Sequence, residues 1–547
     1  MFSFLISTDT SSLDLIYYGL LSAAAGLILT VATPIFVLIP LQLHRISLAP
    51  PNIPWTGQKS YTFFPKLRSS LVALKFEREN IEEGWEKVYF TTDTPMAETL
   101  TQLPQYSSKG KPFVRPSLHW PSVVLPPSDA EWLAHQPESS VAAAKAQDEI
   151  LALEWLASGP SNAFIHDFTV IRRDLTRQLN ACVPEVLDEI HHAFDLHFSK
   201  GEDADDGWKD VLVVDAVRRA VCSTANRIIV GLPVCRSEEY FRAVSRWTIC
   251  FGLTGLVFRS FIPGPLQRFI MPVLSLPTWY WRRKIANMYL PEIERRSKII
   301  QTARAKGEPV KDSGDRKNDL MQWLIEQSFR GNDPAEMESR TIANKLVLFN
   351  LFGMASGPFL RTFQPLTNPA PPATHTLTSV LTSLMTTLLT HPQSAETLAS
   401  LRKEASQILP HAAQTPTLTK QMPFHDSLLR ETLRFHPSFD DAMLREIVAP
   451  QGLTTPEGVY LPKGSHVAMH TRLMQRSSWS GEGDDWDTFR PFRYCEMVGA
   501  ERTSYSAGDD ATEEERATAL LPSEKGQVSA AQISGRYLPF GLGRHAW

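Results

Sequence analysis

The chain has 547 residues, of which 43% are hydrophobic and 21% are charged. This is the composition of an ordinary globular protein, long enough for one large domain or several small ones. A formal net charge of -4 gives no reason to expect a nucleic-acid partner. The five cysteines are scattered without a close pair, which argues against a disulfide framework and a structural zinc site and fits a reducing environment.

An uncharged apolar segment lies near the N-terminus. It runs from Leu15 to Leu41 and, as a helix, would span about 40 Å, more than the roughly 30 Å of a bilayer core. A cleaved signal peptide is the alternative, but its apolar stretch should be shorter and should follow basic residues. Here Asp14 precedes the segment and Arg45 follows it. We therefore predict a single-pass anchor within residues 1–43, with the rest of the protein in the cytosol.

A proline-rich segment follows the predicted anchor. The quoted stretch "LAPPNIPWTG", from Leu48 to Gly57, is incompatible with a helix. We therefore interpret residues 44–57 as a stiff spacer. Beyond it the hydrophobic pattern is predominantly helical, as in "DAVRRAVCSTANRIIV" and "NDLMQWLIEQSF". No internal repeat is visible. Residues 58–547 are therefore predicted to form one mainly helical domain.

A charge pair and a run of short strands mark the last third of the chain. In "HDSLLRETLRFHPS" the side chains of Glu431 and Arg434 are three residues apart and share one face of a predicted helix that ends before Pro437. Such a pair is usually surface decoration and indicates little by itself. The following "MLREIVAPQGLTTPEGVYLPKGSHVAMH" alternates β-rich runs with turn residues, which predicts the strands of a small sheet.

Three motifs in this order resemble those of the cytochrome P450 family of haem-thiolate monooxygenases. Glu431 and Arg434 match its Glu-x-x-Arg pair, and "FRPFRY" matches its aromatic-x-Pro-x-Arg-aromatic segment, with Phe492 in place of the usual acid. The resemblance implies that Glu431, Arg434 and Arg493 form a buried charged network that supports the site without taking part in the chemistry. "RRDLTRQL" and "VGLPVCRSEEY" are similar to stretches of fungal members of secondary metabolism.

The third motif is the haem-binding loop near the end of the sequence. Its glycines permit positive φ and a close backbone approach to a flat cofactor, and its basic residues offer donors suited to haem propionates. The alternative is an ordinary glycine-containing turn before a basic end. This alternative is disfavoured because the other two motifs precede the loop. The candidate cofactor-binding residues are Phe540, Gly541, Gly543, Arg544 and His545.

The segment Ile342 to Ser356 resembles the central, oxygen-activating helix of the family. The resemblance implies that Gly353 kinks the helix beside the iron and that the Ser356 hydroxyl takes the place of the usual threonine, which helps to deliver protons to bound dioxygen. Ala355, however, stands where a polar partner is expected. The alternative is that Ser356 is only a polar residue at a helix end, where hydroxyls are common without a function.

A proline-rich stretch follows this predicted helix immediately. Residues 357–373 contain five prolines, each incompatible with a helix interior, before the family's pattern resumes at "TLTSVLTSLMTTLLTHP". Such loops normally lie at the surface rather than beside a cofactor. Two explanations stay open: a real insertion, or an intron translated in frame.

The position at which the family has its iron-ligating cysteine is occupied by Trp547. An indole N–H is only a donor and has no lone pair for iron. Reading from the first two bases of a cysteine codon into an intron that begins GTAA gives tryptophan and a stop, so an intron within that codon is the expected explanation. A genuine truncation is the alternative. Cys495 lacks a glycine loop and is interpreted as an ordinary free thiol.

The resemblance as a whole implies a mainly α fold with a small β region, with the part after the haem loop missing. It implies an NADPH-dependent monooxygenase that uses haem b and a reductase to insert one oxygen atom into a lipophilic small molecule, with a terpenoid or polyketide expected. The protein should be a monomer on the cytosolic face of the endoplasmic reticulum membrane. The competing hypothesis is a haem-free, membrane-anchored relative that acts as a binding protein.

Overall fold

The computed structural model describes the N-terminal region only in short pieces and most of the chain from residue 120 onward. The described residues are 39–47, 49–50, 53–56, 66–67, 111–116, 120–156, 174, 176–198, 210–257, 262, 264–306, 317–331, 333–355, 376–409, 421–437, 441–476, 485–497 and 529–543. All structural statements below concern these residues.

Most of the described residues are helical, which confirms the mainly α prediction. The helices are α1 (Ile39–Ser47), α2 (Ala130–His135), α3 (Ala143–Leu151), α4 (Leu153–Leu156), α5 (Thr176–Phe198), α6 (Val213–Ile229), α7 (Glu238–Gly252), α8 (Gly264–Leu274), α9 (Leu276–Lys306), α10 (Leu320–Gly331), α11 (Ser339–Ala355), α12 (Thr376–Thr390), α13 (Ser394–Ile408), α14 (Pro423–Phe435), α15 (Thr471–Gln475) and α16 (Arg493–Met497).

Short strands form a small sheet region, as predicted. They are β1 (Phe113–Arg115), β2 (Ser122–Val124), β3 (Val141–Ala142), β4 (Asp441–Ile447), β5 (Leu453–Thr454), β6 (Tyr460–Leu461) and β7 (His466–His470). Five of them make one sheet in the order β1-β2-β7-β4-β3, in which only the β2–β7 pair is parallel, and β5 pairs with β6 in a separate hairpin. The turns in "PEG" and "PKG" place Gly458 at φ +78° and Gly464 at φ +86°, a region that favours glycine.

Two apolar clusters form the main core. One lies among α6, α7, α9, α10 and α11 and is centred on large buried side chains such as Trp247 and Phe251. The other lies against the five-stranded sheet and includes Val123, Val467 and Leu538. The central helix α11 packs on α9 within the first cluster, whereas Leu538 belongs to the segment that ends the described chain.

The proline-rich segment 44–57 behaves differently from the predicted spacer. Ile53 and Trp55 are buried in the sheet cluster, and the backbone of residues 54–56 exchanges hydrogen bonds with Val114 in β1. The prolines keep this stretch extended, and an extended backbone can pair with a strand. Part of the segment is therefore docked on the domain.

The predicted anchor falls almost entirely outside the described residues. Its last residues begin α1, in which the side chains of Gln42 and Arg45 are buried. Within the part of the chain that is described, no helix combines the length and the apolar character needed to cross a bilayer.

Candidate functional site

Glu431 in α14 lies at the centre of a buried charged network. Its carboxylate accepts hydrogen bonds from Arg434 (Nε–Oε2 2.7 Å and NH2–Oε1 2.8 Å) and from Arg493 (Nε–Oε1 3.1 Å). The three residues are 0%, 1% and 2% exposed. The pair three residues apart is therefore not a surface pair in this protein, because a third residue from α16 completes it in the interior. Buried charges of this kind are tolerated only when they are paired and hydrogen-bonded.

The two arginines also form hydrogen bonds with residues 485–488, which precede α16. Arg434 donates from NH1 to the carbonyl oxygen of Trp486 at 2.5 Å, and Arg493 donates to Asp485 Oδ1 at 2.7 Å and to the Thr488 carbonyl at 2.7 Å. Hydrogen bonds from Arg490 and Arg493 lower the pKa of Asp485 to about 2. Each guanidinium thus fixes a stretch of backbone that has no regular secondary structure to hold it.

Gln475 connects this network to the glycine loop. It is fully buried at the end of α15, where its carbonyl accepts from Arg434 NH1 at 2.9 Å. Its side-chain amide donates to the Leu433 carbonyl at 3.1 Å, and its Oε1 accepts from the Leu538 backbone N–H at 2.9 Å. The sequence analysis missed this residue, because a single glutamine in "HTRLMQRSS" belongs to none of the motifs.

Two further residues of α14 hold the segment that leads into the loop. Arg430 donates from NH1 to the carbonyls of Ser529 (2.5 Å) and Gln532 (3.0 Å), and its guanidinium carbon lies 3.9 Å from the centre of the Tyr537 ring. Asp426 accepts from the Ala530 backbone N–H, with oxygens at 3.1 and 3.2 Å. Burial raises the pKa of Asp426, although the bond from Ala530 offsets part of this effect. Both residues lie beside the Glu-x-x-Arg motif, yet neither was singled out from the sequence.

The loop itself adopts the backbone conformation that its glycines permit. Gly541 has φ +79° and Gly543 has φ +75°. A Cβ atom on Gly543 would come within 3.0 Å of the Ala134 carbonyl oxygen in α2, so this glycine permits close packing on a helix. Phe540 is half-buried against Tyr537 and Leu433. Of the other predicted residues of this motif, Arg544, His545 and Trp547 lie outside the described residues.

The central helix α11 ends at Ala355, as far as the described residues extend. Gly353 lies in its last turn, whereas Ser356 and residues 357–373 fall outside the described part. One turn earlier, Asn350 is 1% exposed and belongs to a hydrogen-bonded group that joins α11 to α6, α7 and α9. Its amide donates to the Tyr289 hydroxyl at 3.0 Å and its oxygen accepts from the Tyr240 hydroxyl at 3.1 Å.

None of the cysteines is placed to act as a thiolate ligand. All five are free. Burial raises the pKa of Cys182 to about 11 and that of Cys222 and Cys235 to about 12, and it also raises the pKa of Cys250. Cys495 in α16 donates from Sγ to the Pro423 carbonyl at 3.3 Å, as a protonated thiol does. A metal ligand is a thiolate, which these surroundings disfavour.

Comparison with known proteins assigns the family. The family model described as cytochrome P450 matches residues 372–546, which include α12 to α16, the network and the loop. Cytochrome P450 monooxygenase lnaC of Aspergillus flavus is 26% identical over 448 residues, 81% of this chain and 75% of the relative. The monooxygenase polB of Polytolypa hystricis is 22% identical over 499 residues, 90% of this chain and 83% of the relative.

Among solved structures, retinoic acid bound cyanobacterial CYP120A1 has a TM-score of 0.48 at 16% identity, and the match covers 80% of this chain and 79% of that one. The matched family model and the fungal relatives define the class of protein as a haem-dependent oxidoreductase. The chain belongs to the cytochrome P450 family.

The described residues fit a haem site in one respect and not in another. The positive-φ glycine loop, tied to a buried ionic network through Gln475, is a rigid backbone platform of the kind that a flat cofactor needs. An axial thiolate is not found among the described residues, because burial raises the pKa of four cysteines and Cys495 Sγ is hydrogen-bonded to the Pro423 carbonyl.

Proposed function

We propose that this protein is an NADPH-dependent monooxygenase that inserts one oxygen atom of dioxygen into a lipophilic small molecule of fungal secondary metabolism, a terpenoid or a polyketide. The fungal relatives, which are named monooxygenases, support the reaction type. The observation that carries the proposal is the hydrogen-bonded path from Glu431 through Arg434 and Gln475 to the Leu538 amide, which fixes the glycine loop.

The protein's contribution to this reaction is to bind, orient and exclude water. A haem, when bound, supplies the oxygen-activating chemistry. The network keeps the loop in one conformation, while Asn350 holds the last turns of α11 against α6, α7 and α9. Gly353 in the last turn of α11 and the Ser356 hydroxyl, which lies outside the described residues, are proposed to line the oxygen-binding side, with Ser356 moving protons.

Membrane attachment is part of the proposal. The uncharged segment before α1 is proposed as a single-pass anchor in the endoplasmic reticulum, with the domain and a membrane-bound reductase on the cytosolic side. A second surface supports attachment. Phe269 and Val273 in α8 are 64% and 63% exposed, and Trp279 and Tyr280 at the start of α9 are also exposed. Exposed aromatic side chains are typical of a membrane interface.

The test is oxidation by the expressed Trp547→Cys variant together with a fungal reductase, because an indole cannot supply the thiolate ligand. Candidate terpenoids and polyketides would be incubated with NADPH and isotopically labelled dioxygen. The expected product carries one labelled oxygen atom, and its formation requires NADPH and the reductase. Labelled water as the only source of product oxygen, or turnover without electrons from NADPH, would contradict the proposal.

The second candidate function is that of a haem-free binding protein anchored to a membrane. The observation in its favour is that the surroundings of the five described cysteines disfavour the thiolate form. Haem content separates the two candidates. A folded protein that takes up no haem in a host supplied with haem precursors would favour the binding protein.

A further inference from the structure

Three metal-ligating side chains meet outside the loop and its network. Glu149 lies in α3, and Glu446 and His466 are cross-strand partners in β4 and β7. Each offers one ligand atom, and these atoms lie within 4.8 Å of one another. The helix α3 packs directly on β4, so that the three residues converge from rigid elements rather than from loops. Such placement favours a defined geometry for a bound ion.

The imidazole in this group is held in one orientation. His466 Nε2 lies 2.9 Å from Glu149 Oε2, and the histidine ring stacks on Trp120 with centroids 5.0 Å apart and an angle of 13° between the planes. His466 and Glu446 are each 4% exposed. In a tetrahedral zinc site, ligand atoms about 2.0–2.2 Å from the metal lie about 3.4 Å from each other. A small rotation of the partly exposed Glu149 side chain would bring the group to that spacing.

The described charged groups around the cluster satisfy only one of the two carboxylate oxygens of Glu446. Glu446 Oε1 accepts from Lys145 Nζ at 2.5 Å, but its Oε2 is buried without a hydrogen-bond partner among the described residues. The Lys145 side chain is 51% exposed and can swing into water. A buried acceptor without a donor is costly unless a cation satisfies it.

We propose that Glu149, Glu446 and His466 form a binding site for a divalent transition-metal cation of the zinc type. One imidazole nitrogen and two carboxylate oxygens are a suitable donor set for such an ion, and water can complete the coordination. Lys145 occupies part of the site as the cation of the metal-free protein. The bound metal replaces it, neutralises both carboxylates and ties α3 to the sheet. This site is independent of the proposed function, because it involves neither the glycine loop nor the network.

Zinc binding to the full chain tests the site directly. Isothermal titration with Zn²⁺ should show one site, and Co²⁺ should give visible absorption bands when it binds there. Glu446→Gln and His466→Ala should each weaken binding by about tenfold or more, since even groups that only orient a ligand contribute about that much. Glu154→Gln, an exposed carboxylate change in the neighbouring α4, is the matched control and should leave the affinity unchanged.

Lys145→Met distinguishes a metal site from an ordinary ion pair. If the lysine only stabilises Glu446, its loss should lower stability and leave the zinc affinity unchanged. The proposal expects tighter zinc binding and a larger zinc-dependent rise in Tm, because a competing cation is gone. The absence of zinc binding, or equal affinity in the Glu446→Gln variant, which keeps the side-chain volume, would overturn the site.

Discussion

At the scale of single residues, Glu431 determines whether two buried arginines are neutralised. Glu431→Gln would leave Arg434 and Arg493 without their shared carboxylate, and we expect a loss of about 3–5 kcal/mol in the free energy of unfolding. Asp485→Asn is the matched control. The Asp485 side chain is 39% exposed, so the loss of its ion pair with Arg493 should cost about 1 kcal/mol or less. Urea unfolding measures both. Equal losses would mean that the centre of the network lies elsewhere.

The carboxylate of Asp485 gives the network a defined dependence on pH. Its pKa is lowered from 3.8 to about 2, so the folded protein holds this proton more weakly than the unfolded chain does. The stabilisation is therefore complete above about pH 4 and is lost as the pH falls through about 2. The difference in unfolding free energy between the protein and Asp485→Asn should shrink over that interval. A difference that stays constant from pH 5 to pH 2 would contradict the assignment.

Gln475 is expected to control the mobility of the loop. Gln475→Leu removes the acceptor of the Leu538 amide and the donor to the Leu433 carbonyl, at a cost of about 1–3 kcal/mol. Hydrogen exchange at the Leu538 amide should become faster than in the parent protein. Gln532→Leu, whose side chain is exposed in the same segment, is the control and should leave this amide protected. Unchanged exchange in Gln475→Leu would show that the loop is held by other contacts.

At the scale of the elements, the sequence predicted the helices and strands more completely than the contacts between them. The periodic pattern in "DAVRRAVCSTANRIIV" corresponds to α6, and the turns marked by Gly458 and Gly464 separate β5, β6 and β7. These are local signals. Docking of residues 53–56 on β1 depends on a partner 58 residues away, which no pattern within the segment contains. The spacer interpretation failed for that reason.

The motifs of the site were predicted as far as their residue types are diagnostic. Glu431, Arg434 and Arg493 could be named because their spacing resembles a family pattern, and the structure brings them together. Gln475 and Asn350 could not, since a buried amide is recognised only once its partners are known. Ser356, Arg544 and His545 stay predictions, because they lie outside the described residues.

The polar group around Asn350 is expected to fix the position of α11. Tyr289→Phe removes the hydroxyl that contacts both Tyr240 and Asn350, and the free energy of unfolding should fall by about 1–3 kcal/mol. Tyr280→Phe on the exposed side of the same helix is the control and should change stability by less than about 0.5 kcal/mol. If both substitutions have the same small effect, the buried group does not anchor the helix.

At the scale of the whole molecule, we expect two contacts with the membrane. Removing residues 1–38 eliminates the proposed anchor but keeps α1, and a fraction of the protein should still sediment with vesicles through the surface that contains Phe269 and Trp279. Adding Phe269→Glu to the truncated protein should release it, whereas Glu294→Lys, a charge change elsewhere on α9, should not. Complete release by truncation alone would remove the second contact from the account.

If the loop from Tyr537 onward is a haem-thiolate platform, the carbon monoxide difference spectrum should show it. The Trp547 protein and its Trp547→Cys variant would be expressed with haem precursors, reduced and exposed to carbon monoxide. We expect the red-shifted Soret band of thiolate-ligated haem only in the cysteine variant, because indole cannot ligate iron. The same band in the tryptophan protein, or a folded cysteine variant without haem, would contradict it.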